Sequence, residues 1–240
     1  MKVFNKFRFK MVEGKQVKKY ILYAIGEIIL VVIGILIALA INKRAETLKV
    51  EDNTVKIALQ VKQKLNEDID AIKDTRADIA EDIKIYNLYL KKDKTTKETF
   101  VVLAKAPFLV TISVQFAPIN PILSSALENT SLNNTDLSNK LLEIEQDYKL
   151  MDRRLRPMER IITEELITNM RYIKDNFDWY EKLVTENSNF TLEEFSYFGS
   201  QDYKNRVVHM KFLYLNSYDE TLEESLEVLT QRLNELEALL

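Results

Sequence analysis

The sequence predicts an all-α protein with one N-terminal transmembrane helix. After it come three long helices in an elongated antiparallel bundle, with a short irregular insert at the distal tip. Three observations carry this expectation. The stretch Tyr20–Ile41, YILYAIGEIILVVIGILIALAI, is apolar apart from Glu27. Beyond it, long segments repeat apolar residues at alternating three- and four-residue intervals. Only four Gly and four Pro occur in 240 residues, too few for a turn-rich β fold or a phosphate-cradling loop. The expected organisation is a basic cytoplasmic arm (1–19), a membrane helix (20–42) and a periplasmic bundle (43–240) with its insert at 93–134.

Charge sets the topology. Residues 1–19 hold seven Lys/Arg against Glu13, whereas residues 42–240 carry a net charge of −8. Lys10, Lys15, Lys18 and Lys19 precede the apolar stretch, and only Lys43, Arg44 and Lys49 follow it closely. The excess of positive charge on the N-terminal side puts that side in the cytoplasm, and in a Gram-negative cell the body in the periplasm. The basic arm suits anionic headgroups; the acidic body is a poor partner for nucleic acid. The competing reading is a cleaved signal peptide, since Ala38-Leu39-Ala40 has the small-x-small form of a cleavage site. The apolar run is longer than a signal core of about 7–15 residues and contains a carboxylate, which favours the uncleaved anchor.

A helix of 22 residues spans about 33 Å, close to the hydrocarbon thickness of a bilayer. Glu27, Val31, Gly34 and Ala38 follow one another at four, three and four residues and so share one helix face. Gly34-x-x-x-Ala38 permits close helix approach, and a carboxylate at that depth calls for protonation, a partner or shielding. The face is expected to join copies of the chain, or to dock on another membrane or envelope protein. A proton-path role for Glu27 is the sharper alternative, and snorkelling to the interface the plainer one.

The string Tyr20-x-x-Tyr23-Ala24-Ile25-Gly26-Glu27-Ile28, continued by Leu30-Val31-Val32-Ile33-Gly34-Ile35-Leu36-Ile37-Ala38-Leu39 and Ile41-Asn42, resembles the anchor of a bacterial family of envelope proteins with a domain of unknown function. The likeness covers residues 17–42 closely and the rest loosely. Members often continue with an Asn-Trp-Asn-Glu-like run, where this chain has Lys43-Arg44-Ala45-Glu46. The resemblance implies a single-pass inner-membrane protein and brings no activity and no catalytic residues.

From Arg44 to about Lys92 there is neither Pro nor Gly, so one long helix is expected. Its seam reads Val55, Ala58, Leu65, Ile69, Ile72, Ile79, Ile83, Tyr86 and Leu90, with Lys62 and Arg76 at the edge of a broader bundle face, where acidic neighbours would meet their charges. Lys91–Lys97 reads as a turn. Residues 98–118 lack a clean period and contain Pro107 and Pro118, which suggests a short helix at 98–105, an extended piece at 108–116 and another short helix at Asn120–Asn129.

Thr135 or Asp136 can cap a second long helix running to about Thr185. Its seam passes Leu137, Leu141, Ile144, Tyr148, Met151, Leu155, Met158, Ile162, Leu166, Ile173, Phe177, Tyr180 and Val184, with a bend or break expected near Pro157. Aromatics then concentrate between Phe177 and Tyr203, suited either to a membrane interface or to a loop closing the end of the bundle. The last helix begins near Gln201, and its seam is Leu222, Leu226, Leu229, Leu233, Leu236 and Leu240, flanked by acids expected to form a solvated face.

No chemistry stands out. Without Cys there are no disulfides and no thiolate, and the single His209 excludes any two-His metal site. No nucleophile–base–acid set is recognisable, so neither catalytic residues nor cofactors are expected. The reading is a membrane-anchored scaffold or accessory subunit acting through protein–protein contacts and oligomerisation. The alternatives are a periplasmic sensory module, or an accessory subunit of an ion-motive or transport complex that uses Glu27.

Overall fold

The computed structural model describes residues 17–111, 116–119, 136–185 and 190–240. The chain forms two compact units, Met1–Asn53 and Thr54–Leu240. Among the described residues there is no β-strand, in keeping with the all-α class that the sequence predicts.

Helix α1 runs from Val17 to Leu90 without a break, 74 residues that include the apolar stretch and the whole first seam. In the second unit its buried face is Thr54, Ala58, Val61, Leu65, Asp68, Ile69, Ile72, Thr75, Ile79, Tyr86 and Tyr89. This is broader than a two-position seam, as befits a bundle helix. It also departs from the expected seam, because Val55 is exposed while Thr54, Asp68 and Thr75 are buried. Lys62 and Arg76 do lie at the edge. Lys62 pairs with Glu237 at 2.9 Å, and Arg76 with Asp219 at 2.8 Å and Glu223 at 3.4 Å.

Helix α2 (Thr96–Lys105) opens with a capping box, in which Thr95 accepts from the Glu98 amide and Glu98 accepts from the Thr95 amide. A 3₁₀ turn follows at Ala106–Phe108, with Pro107 early in it where no amide donor is needed. Residues 108–111 are therefore turned, not extended as expected. The expected helix at Asn120–Asn129 lies outside the described residues.

Helix α3 (Asp136–Asn176) buries the predicted Leu141, Ile144, Tyr148, Met151, Leu155, Ile162 and Ile173, together with Ser138 and Asn169, and leaves Leu137, Met158 and Leu166 half-buried. The break expected near Pro157 does not occur, and the helix continues through it. Pro157 is exposed while Met151, Leu155 and Ile162 on both sides are buried, so the carbonyl that loses its donor lies on the solvent side. The helix ends instead at Asn176, where the chain turns through Phe177–Trp179 into the short helix α4 (Tyr180–Val184), with Leu183 rather than Val184 buried. Helix α5 (Leu192–Ser196) starts with a second capping box, Thr191 and Glu194, and a 3₁₀ turn at Tyr197–Gly199 leads to α6 (Gln201–Met210), capped by Ser200.

The last long helix is not uniform. Between α6 and α7 (Asp219–Glu237) lies a π-helical segment, Lys211–Tyr218. The sequence explains it. Tyr203, Val207, Met210 and Tyr214 form one seam at three- and four-residue spacing, and Tyr218, Leu222, Ser225 and Leu229 form another. The second runs one residue later than a continued first seam would, and the wider π turn absorbs that extra residue. At the C-terminus Leu236 is buried but Leu240, placed in the seam by its spacing, is 46% exposed.

The direction of the long helices follows from their contacts. Lys62 meets Glu237, Arg76 meets Asp219, and Tyr89 meets Phe198, so α1 and the α6–α7 helix are antiparallel. Arg232 meets Asp147, and Arg206 meets Asn169, so α3 and α6–α7 are antiparallel too. Hence α1 and α3 run parallel, and the Asp68–Tyr148 bond joins them side by side. The arrangement is up-up-down, and the chain between α1 and α3 has to return along the bundle. Its described part, residues 91–111 and 116–119, lies as a strap on the side of the bundle, where the sequence suggested an insert at the tip. Ala106 accepts from Tyr203, Leu109 accepts from Tyr86, and Ala117 donates to Tyr218, about four turns beyond Tyr203 along the last helix.

Candidate functional site

The expected sites are the face of α1 and the basic residues before it, and the connection rich in aromatics has two readings to decide between. On α1, Glu27, Val31, Gly34 and Ala38 all lie exposed along one helix face, with Val31 55% exposed. A Cβ added at Gly34 would meet nothing within 4 Å, so that face has room for the backbone of another helix. Lys18 and Lys19 fall in the first turn of α1, whereas Lys10 and Lys15 lie outside the described residues. Large apolar side chains from Ile21 to Ile41 are exposed throughout, and one helix among those described is long and apolar enough to cross a membrane.

The aromatic connection closes the Leu90 end of the bundle, the end of α1 away from Thr54. Phe177 lies 4.2 Å from Tyr197 and 4.8 Å from Trp179 between ring centroids, and Phe198 lies 5.2 Å from both Trp179 and Tyr203. The Arg206 guanidinium sits 3.8 Å above the Tyr172 ring. Tyr89 donates to the Phe198 carbonyl at 2.6 Å, fixing the connection to α1. Of the two readings of these aromatics, the structure bears out a loop packed onto the bundle end.

Inside the bundle lies a set of polar groups that sequence reading missed. Asp68, almost fully buried, accepts from Tyr148 at 2.6 Å and from Lys64 one turn earlier. Asn169 is fully buried and accepts from Arg206 at 2.9 Å through Oδ1, while its Nδ2 has no partner among the described residues. The hydroxyl of Tyr218 accepts from the Ala117 amide at 2.9 Å and donates to Glu159 at 3.3 Å. The signal for Asp68 was present: 58, 61, 65, 68 and 72 continue the alternating spacing, and a carboxylate at such a position needs a donor opposite.

These groups are poor candidates for acid–base catalysis. Burial pushes the Tyr89 hydroxyl up to about 12, and Tyr86, Tyr148, Tyr203, Tyr214 and Tyr218 also move above the ordinary phenol range, chiefly by burial. They remain protonated donors at neutral pH. Burial also raises the Glu159 carboxyl, against the opposing pull of the Tyr218 hydrogen bond. Glu159 lines a groove of about 270 Å³ with Phe116, Pro118, Tyr148, Asp152 and Arg156. Asp152 in that groove is already paired with Arg156. His209 is on the surface, 3.9 Å from Glu165. Among the described residues no cluster of His, Asp and Glu is arranged to hold a metal ion.

The acids flanking the last helix are not all a solvated face. Glu235 binds Lys140 at 2.9 Å and Arg232 at 2.7 Å, and Arg232 also holds Asp147 at 2.6 Å, clamping α7 to α3. These bonds draw the Glu235 carboxyl down to about 2, mainly through Lys140 and then Arg232. No protein-family model matches the chain, and no curated protein and no solved structure matches it either.

Proposed function

We propose that this chain is a membrane-anchored scaffold or accessory subunit of the bacterial envelope, acting through protein–protein contacts and through association of its own copies. The observation that carries the reading is the uncovered apolar surface of α1, with Leu22 75% and Leu30 74% exposed among many such residues between Ile21 and Ile41. Each large apolar side chain gains about 1.5–3 kcal/mol on leaving water, so this surface demands a lipid or protein environment. The basic residues before it favour a cytoplasmic N-terminus and a periplasmic bundle. The likeness of residues 17–42 to an envelope family supports the same placement. The polar groups of the bundle are engaged in holding helices together, which suits a scaffold better than an enzyme.

The test combines topology with assembly. A phosphatase reporter fused after Leu240 is expected to be active in the periplasm, and the protein is expected to resist alkaline extraction from membranes. The double variant Glu27→Gln, Gly34→Leu is expected to shift the detergent-solubilised assembly to a smaller size. Release by alkali would refute the anchor, and an unchanged assembly size would refute association through this face.

A further inference from the structure

The end of the bundle closed by the aromatic connection presents a second, separate surface. Helices α2 and α5 lie beside each other there, and between them runs an open groove of about 350 Å³. Its apolar lining includes Val102, Leu103, Leu192 and Phe195, and its polar rim is Lys94 and Lys204, with no carboxylate in the lining. Leu192 is 93% exposed and Leu103 39%, and Phe100, one turn before Leu103 on the same side of α2, is 68% exposed.

Local structure makes this exposure a fixed feature. Each short helix is held at its start by a capping box, and each box glutamate is bound by a lysine, Glu98 by Lys91 and Glu194 by Lys182, both at 2.7 Å. Glu98 and Glu194 are thus engaged within the fold, whereas Asp93 and Glu193 are exposed outside the groove lining. Lys94 donates to the Lys91 carbonyl and has no carboxylate partner among the described residues, and neither has Lys204. A body with net charge −8 thus carries at this end an apolar groove with a cationic rim.

We propose that this groove docks an acidic amphipathic helix of a partner protein. Apolar residues one turn apart on such a helix would fill the groove and cover Leu192 and Phe100. Carboxylates on its flanks would meet Lys94 and Lys204. The overall negative charge of the bundle repels acidic partners elsewhere, so the lysine rim selects both the site and the orientation of docking. This deepens the scaffold reading by giving the chemistry of its partner, and it rests on that reading.

The experiment uses the full chain in nanodiscs of zwitterionic lipid. The probe is a fluorescent amphipathic peptide of leucine and glutamate with helical spacing, and the control is the same peptide with lysine in place of glutamate. Saturable binding of the acidic peptide above that of empty nanodiscs is expected, weakening as salt rises. Lys94→Glu with Lys204→Glu, and separately Leu192→Ser with Phe100→Ser, are expected to weaken it by about tenfold or more with far-UV circular dichroism unchanged. No binding, equal binding of the lysine peptide, or indifference to both double variants would overturn the proposal. So would competition by vesicles of pure phosphatidylglycerol, which would make the surface a lipid site. Assembly size recorded on the same samples separates this outcome from a failure of the anchor-face association.

Discussion

The hydroxyl of Tyr148 donates a 2.6 Å hydrogen bond to the carboxylate of Asp68, joining residues 80 positions apart on two helices that run in the same direction. Both are buried, and Lys64 supplies the counter-charge. Because hydrogen bonds are directional, this bond selects one axial register from several that apolar packing alone would accept. Tyr148→Phe leaves Asp68 short of a donor and is expected to cost about 1.5–3 kcal/mol. The double variant Asp68→Leu, Tyr148→Phe is expected to recover part of that loss. Urea titration followed by the fluorescence of Trp179, the single tryptophan, measures both.

Glu159 gives a pH dependence with a definite sign. Its carboxyl titrates above the ordinary range in the folded protein because of burial, so the folded state binds more protons than the unfolded one just above that range. Stability associated with this group is therefore greatest at low pH and declines as pH rises through its folded pKa. Glu159→Gln keeps an oxygen to accept from Tyr218 and cannot ionise. It is expected to raise Tm at neutral pH, with a gain that fades as both proteins are acidified. A gain independent of pH would refute the ionisation argument.

The π-helical segment makes a prediction about chain length. If Lys211–Tyr218 absorbs one surplus residue, deleting the exposed Asn216 joins the two seams into one regular repeat. The deletion is expected to keep a cooperative melt. Deleting Glu227, which is exposed in the regular helix α7, moves Leu229 and Leu236 off the buried face and is expected to abolish cooperativity. Thermal circular dichroism of the two deletion variants decides the matter.

The helix order is open to chemical test. Carbodiimide forms an amide directly between a lysine and a carboxylate in contact. Lys140–Glu235 and Lys62–Glu237, each separated by 2.9 Å, are the expected cross-links. A bundle with α1 and α3 antiparallel would not give both, since Glu235 and Glu237 lie in the same turn of α7. Peptide mass spectrometry identifies the linked pairs.

Much of this was legible in the sequence, and the rest was hidden for identifiable reasons. The buried positions Leu141, Ile144, Tyr148, Met151 and Leu155 follow from helical spacing alone, as do Leu222, Leu229 and Leu236. Spacing carries no information about helix direction, so the parallel pairing of α1 and α3 and the strap beside them were not legible. An insert at 93–134 placed at the distal tip suits antiparallel neighbours, whereas parallel neighbours need a connection as long as the bundle. Pro157 reads as a breaker, but its exposed position spares the buried seam, and the helix continues. Asp68 and Asn169 were passed over because an isolated polar residue in a seam shows its meaning only once the opposing donor is known. The groove at α2 and α5 had no sequence signal, since its two walls come from segments almost ninety residues apart.

The up-up-down order has a consequence for synthesis on the ribosome. The buried face of α1 is complete at Leu90, but the helix that runs against it for most of its length begins at Gln201, 111 residues later. At about 5–20 residues per second, that face waits roughly 5–20 s for its counterpart. Throughout that interval a nascent chain already bearing a membrane-length apolar helix also displays an unmatched row of isoleucine, leucine and tyrosine. The strap and α3 emerge first but cannot close the core alone, so the bundle condenses only when the final forty residues arrive, and a chain that stops short of them is left with its oldest hydrophobic surface unmet.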